Sequence, residues 1–119
     1  SRTLGDLADK TKEALGGESV RLAGDPAAPI ERAAVVTGSG GGMADALRRA
    51  GAQACITGEM KYHEIQDLAA AGIGVILGGH WRTERAALAA WMPRLVEVVE
   101  SAGVEVRLSD RERDPAVWR

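Results

Sequence analysis

The chain has 119 residues, 45% of them hydrophobic and 27% charged, which is the balance of one ordinary globular domain. The net charge of −2 and the pI of about 5.7 exclude a protein that binds nucleic acid through a strongly basic surface. Because no apolar run approaches roughly 18 residues and no signal peptide opens the chain, we predict a cytoplasmic protein that does not contact a membrane.

The first predicted element is a helix over "TLGDLADKTKEAL", in which Thr3 and Asp6 have the spacing of a capping box. Gly16 and Gly17 end this helix. The short strand "SVRLAG" comes next. The two prolines of "DPAAPIER" then indicate a connection or a sheet edge.

Apolar strand segments alternate with helical segments in the rest of the chain. In order they are the strand "RAAVVTG", the helix "MADALRRA", the strand "AQACITG", the helix "YHEIQDLAAA", the strand "IGVILGG", the helix "TERAALAAWMPRLVEVVESA" and the strand "VEVRL". Thr83 is the predicted N-cap of the long helix, and Pro93 inside it predicts a kink or a break.

This alternation predicts an α/β fold: one three-layer domain over residues 1–119, with a mostly parallel sheet flanked by helices. In such sheets, ligands bind beyond the carboxyl ends of the strands. Three of the strands end in glycine-bearing turns, which are "TGSGGG", "TGEMKYH" and "GGHWRTE". These turns should meet at one edge of the sheet, and they hold both histidines of the chain.

The turn "GGHWRTE" has a histidine and a glutamate four residues apart, His80 and Glu84. At this spacing on a helix, the two side chains can offer a nitrogen and an oxygen to one cation. The spacing also fits an ordinary loop that enters a helix, with Glu84 as a first-turn carboxylate. The single cysteine excludes a zinc site built from several sulfur ligands.

The turn "TGEMKYH" brings Glu59 and His63 together near a strand end. A carboxylate and an imidazole at such a place can act as a general base or orient a substrate. They are equally well explained as the polar first turn of a helix.

The turn "TGSGGG" precedes a helix, where free backbone N–H groups attract anions. It lacks the lysine of a P-loop and the regular spacing of a dinucleotide fingerprint. Ser39, Gly40 and Gly41 are therefore candidates for contact with a substrate, with tight packing and an anion site as the alternatives.

Taken together, the three turns resemble the Nif-three-like dinuclear metal-centre family, whose members are often named GTP cyclohydrolase type 2 homologues. The motifs G-S-G, T-G-E-x-K-Y-H and G-H-x-x-T-E occur here in the family's order and spacing, over about half of the chain. The first predicted helix also resembles a segment that bridges the two halves of family members.

The resemblance implies a ring-shaped homo-hexamer with two divalent metal ions per site, their identity open among Zn, Fe, Mn and Ni. It implies His80 and Glu84 as metal ligands, and Glu59 and His63 as residues that support the ligands or transfer protons. The implied activity is metal-dependent hydrolysis, including GTP ring opening. A non-enzymatic metal-binding or scaffold module is the alternative.

One departure from the family pattern concerns the remaining ligands. Family members carry an H-H-P motif and an aspartate in a first half, and this chain has no adjacent histidines. We therefore expect the chain to resemble the C-terminal portion of a longer, two-part protein. A missing N-terminal half would then complete the metal site.

Overall fold

The computed structural model describes residues 2–17 and 19–117. Within these ranges the elements are α1 (Leu4–Ala14), β1 (Arg21–Ala23), β2 (Ala33–Ser39), α2 (Ala44–Arg49), β3 (Ala54–Glu59), α3 (Tyr62–Ala70), β4 (Gly74–Leu77) and α4 (His80–Glu100). The predicted capping box is present at the start of α1, where Thr3 and Asp6 exchange hydrogen bonds. No helix in these ranges is long and apolar enough to cross a membrane.

The four strands form one sheet in the order β1-β4-β3-β2, which confirms the predicted α/β class. Strands β2, β3 and β4 are parallel, and α2 and α3 connect them. Strand β1 pairs antiparallel with β4, so the sheet is mixed rather than mostly parallel. A helix lies between β2 and β3 and another between β3 and β4, and such helical crossovers join parallel strands. No helix lies in the described residues between β1 and β2, so β1 is not held parallel in this way.

The core lies on both faces of the sheet, which gives three layers. On one face, Cys55 and Val75 pack with residues of α2 and α3, among them Leu68. On the other face, Leu4 and Ala8 of α1 pack over the sheet. Burial raises the pKa of the Cys55 thiol, so this side chain behaves as a small apolar residue.

Helix α4 begins at His80, so the prediction of Thr83 as its N-cap is wrong. The capping residue is Gly79, whose φ of 94° is open to glycine and strained for other residues. The expected break at Pro93 is also absent, because α4 continues through it. Ala89, whose carbonyl loses its helical partner there, is exposed and accessible to water.

The predicted strand "VEVRL" is wrong as well, because residues 104–108 have no regular secondary structure. Its charged side chains, Glu105 and Arg107, pair with each other and are exposed. No strand among the described residues hydrogen-bonds to this segment. The alternation of apolar and charged residues is therefore not sufficient here to make the segment pair with a strand.

A buried arginine connects the first turn of α4 to the end of α1. Arg82 is 7% exposed, and its guanidinium donates hydrogen bonds to the carbonyl oxygens of Leu15 and Ser19. Leu15 is the C-cap of α1, where a positive charge stabilises the carbonyl end of the helix. The turn that carries His80 is thus attached to the rest of the fold.

Candidate metal centre

The three glycine-bearing turns meet at the carboxyl edge of the parallel strands. The backbone N–H of Gly38, at the end of β2, donates to the hydroxyl of Thr83 in α4. Glu59, the last residue of β3, contacts His80 at the start of α4. Parallel pairing of three consecutive strands produces this meeting, because their carboxyl ends share one edge.

His80 lies between two carboxylates. Its Nδ1 is 2.9 Å from Oε1 of Glu59, and its Nε2 is 3.2 Å from Oε1 of Glu84. The side chain of His80 is 47% exposed, so the group is open to solvent. The Glu84 contact arises from the helical spacing of four residues, whereas the Glu59 contact joins α4 to the end of β3.

The two carboxylates raise the pKa of His80 above its ordinary value of 6.5. The largest cause is the hydrogen bond with Glu59, followed by an opposing effect of burial and by the charge of Glu84. Because the folded pKa is raised, these contacts stabilise the fold fully below pH 6.5, and their contribution disappears as the pH rises through the folded pKa. A cation must displace the proton on Nε2 of His80. The affinity of the site for a cation should therefore increase as the pH rises to the folded pKa of His80.

Glu59→Gln is expected to lower the pKa of His80, because it removes the charged partner that contributes most to the shift. Glu84→Gln is the matched control and should lower the pKa of His80 by less. NMR titration of the His80 ring protons in the metal-free protein measures both values. An equal or larger decrease in Glu84→Gln would contradict the dominance of Glu59.

Nε2 of His80 and Oε1 of Glu84 are two possible donor atoms for a metal ion, and the backbone at Gly38 leaves space beside them. A Cβ atom at Gly38 would overlap Oε1 of Glu84 and would lie 3.1 Å from Nε2 of His80. The space next to both donor atoms is therefore kept open by a glycine with φ of 68°. The other imidazole nitrogen, Nδ1, is held by Glu59, which is the arrangement usual for metal-bound histidines.

The described residues present too few donor side chains for a complete metal site. Within residues 2–17 and 19–117, no group of three or more His, Cys, Asp or Glu side chains is placed to hold one ion. Glu59 does not complete such a group, because it binds the nitrogen of His80 opposite to the one that faces Glu84. A catalytic metal usually has three protein ligands, and two donors are therefore only part of a site.

His63 is not part of the cluster formed by Glu59, His80 and Glu84. It is exposed in the first turn of α3, and no hydrogen bond or ion pair among the described residues links it to Glu59, His80 or Glu84. Its predicted role in proton transfer stays a prediction. The sequence places Glu59 and His63 only four residues apart, but the end of β3 directs only Glu59 to His80.

The turn after β2 packs against α3 through a carboxylate. The backbone N–H of Gly42 donates to Oε1 of Glu64 at 2.7 Å, and this bond is the main cause of the lowered pKa of Glu64. A Cβ atom at Gly40 would lie 2.6 Å from Oγ1 of Thr57, and one at Gly41 would lie 3.2 Å from Oε2 of Glu64. These contacts favour the tight-packing interpretation, and the negative charge of Glu64 opposes a bound anion. Contact of the exposed Ser39 with a substrate stays a prediction.

Residues 1–115 match the Duf34/NIF3 (NGG1p interacting factor 3) family. The chain belongs to this family. A "GTP cyclohydrolase 1 type 2 homolog" of Clostridium acetobutylicum is 31% identical over 115 residues, which are 95% of this chain and 43% of that protein. The human "NIF3-like protein 1" is 33% identical over 116 residues, which are 97% of this chain and 30% of that protein.

Solved structures of Duf34/NIF3 relatives have the same fold. A Bacillus cereus protein related to NIF3 superimposes with a TM-score of 0.84 at 26% identity, covering 99% of this chain and 33% of that one. The chain thus spans less than half the length of these curated and structural relatives. More than half of such a relative therefore has no counterpart in this chain.

Proposed function

We propose that the chain is the metal-binding portion of a dinuclear metal-dependent hydrolase of the GTP cyclohydrolase type 2 kind. The observation that supports this most is the geometry of His80: one ring nitrogen is held by Glu59, and the other faces Glu84 beside Gly38. The names of the bacterial relatives support the reaction class. We place the protein in the cytoplasm as part of this proposal.

Each of the three side chains has a distinct task in the proposed site. His80 and Glu84 bind the metal, and Glu59 fixes the ring orientation and the tautomer of His80. Divalent ions at such a site polarise a substrate and lower the pKa of water, which is the chemistry hydrolysis needs. We keep His63 as a candidate for moving protons, since it lies in the turn that comes after Glu59.

The remaining metal ligands are proposed to come from the part of the family protein that this chain does not span. An apolar surface beside Glu84 supports this: Leu88 and Trp91 of α4 are 43% and 61% exposed. Glu84 lines the same shallow groove as Leu88 and Trp91. Neighbouring exposed apolar side chains that line one groove are typical of a surface that another polypeptide covers. The ring-shaped homo-hexamer belongs to the same proposal.

Incubation of the chain, combined with the part of the family protein that is proposed to supply the remaining ligands, with GTP and Zn²⁺, Mn²⁺, Fe²⁺ or Ni²⁺, followed by chromatography of the products, tests the activity. Turnover should require a metal and should be lost in His80→Ala and after chelation. Turnover that survives both treatments would contradict a metal-dependent hydrolase. His63→Ala is informative in the same assay, because loss of turnover with retained metal binding would support its role in proton transfer.

A non-enzymatic metal-binding or scaffold module is the second candidate. The small number of metal-donor side chains favours it, because the described residues offer only two of them, His80 and Glu84, to one ion. This function predicts metal binding without turnover of GTP. Steady metal-dependent hydrolysis by the chain combined with the rest of the family protein would contradict it.

A further inference from the structure

Thr83 occupies a junction between the end of β2 and the first turn of α4. Its side-chain oxygen accepts a hydrogen bond from the backbone N–H of Gly38 at 3.0 Å. The same hydroxyl lies 3.0 Å from the carbonyl oxygens of Gly79 and His80, to which it can donate its proton. Thr83 is 5% exposed, so these bonds are shielded from water.

This junction lies between the two sides of the candidate site. Gly38 borders the donor atoms from the β2 side, while His80 and Glu84 approach from α4. The hydrogen bond from Gly38 to Thr83 joins these two sides directly. A shift of α4 along β2 would change the space beside Nε2 of His80 and the carboxylate of Glu84.

A purely structural role for Thr83 is the alternative. A buried N–H such as that of Gly38 needs an acceptor, and Thr83 supplies one whether or not a metal binds. The two roles predict different effects for loss of the hydroxyl. A structural role affects stability alone, whereas a positioning role also changes metal affinity in the folded protein.

We propose that the Thr83 hydroxyl is a positioning group, which holds the end of β2 against the first turn of α4 and thereby sets the geometry of the His80–Glu84 donor pair. This inference rests on the proposed metal-binding function. Thr83 does not touch the ion itself, because its hydroxyl is committed to backbone groups of Gly38 and of the helix start.

Zinc titration calorimetry on the folded chain tests this with three variants. Thr83→Val removes the hydroxyl at nearly constant shape and should weaken zinc binding about tenfold, as loss of outer-shell partners does. Thr83→Ser keeps the hydroxyl and should bind within about twofold of the wild type. Thr11→Val is the matched control: Thr11 is 8% exposed and donates to the carbonyl of Leu7 within α1, and its loss should leave zinc affinity unchanged.

Wild-type affinity in Thr83→Val would overturn the inference, as would an equal loss in Thr83→Ser or in Thr11→Val. A second measurement separates this result from the proposed function. If the wild-type chain binds no zinc, metal binding by this chain is contradicted, and NMR of the metal-free protein decides the role of Thr83. Faster exchange of the Gly38 amide together with shifted His80 ring signals in Thr83→Val supports positioning, and unchanged values for either overturn it.

Discussion

His80→Ala is expected to weaken zinc binding by about 100-fold or more in calorimetric titrations, beyond the cost of losing an outer-shell partner. The reason is geometric: the substitution removes the nitrogen that faces Glu84 and leaves Glu59 without the ring it orients. The fold should survive, since the His80 side chain is 47% exposed and contributes little to the core.

His63→Ala is the control for this experiment, because it removes the other histidine of the chain from an exposed position outside the cluster. It should retain wild-type zinc affinity. If His63→Ala loses zinc while His80→Ala keeps it, the site has been placed in the wrong turn.

Gly38→Ala is expected to weaken zinc binding and to destabilise the fold. The added Cβ would overlap Oε1 of Glu84, so the carboxylate must move away from Nε2 of His80. The φ of 68° adds backbone strain of about 1 kcal/mol or more for a residue other than glycine. Calorimetry for zinc affinity and thermal unfolding for stability measure the two effects separately.

Gly72→Ala is the control that separates the loss of zinc binding from the loss of stability. Gly72 has a similar φ of 73°, but a Cβ atom there meets nothing within 4 Å. This variant should lose a similar part of its stability to backbone strain and should keep its zinc affinity. Equal zinc affinity in the two alanine variants would show that the space beside Gly38 has no part in the site.

Much of the fold could be predicted because local chemistry determines it. The capping box of Thr3 and Asp6 marks the start of α1, and the apolar runs between helices mark β2, β3 and β4. The start of α4 could not be predicted in the same way. Its cap is a glycine with a positive φ rather than a side-chain oxygen, so the nearby threonine is the stronger signal in the sequence. The segment "VEVRL" has a strand pattern, but strand formation depends on packing against a neighbouring strand, which the local sequence does not reveal.

In the candidate site, too, some contacts could be predicted from the sequence and others could not. The spacing of His80 and Glu84 is visible in the sequence because residues four apart lie about one helical turn from each other. The bond between Glu59 and His80 joins residues 21 positions apart, and the bond between Gly38 and Thr83 joins residues 45 positions apart. Such contacts depend on how parallel strands align. The convergence of the three turns could therefore be predicted, but the individual partners could not.

Anomalous X-ray diffraction at the zinc edge, on crystals of the chain soaked in zinc, tests most directly whether His80 and Glu84 bind a metal. We predict a zinc peak at about 2.0–2.2 Å from Nε2 of His80 and from a carboxylate oxygen of Glu84, with Glu59 still bonded to Nδ1. Ordered zinc at other residues alone, with His80 still bonded to both carboxylates, would contradict this assignment.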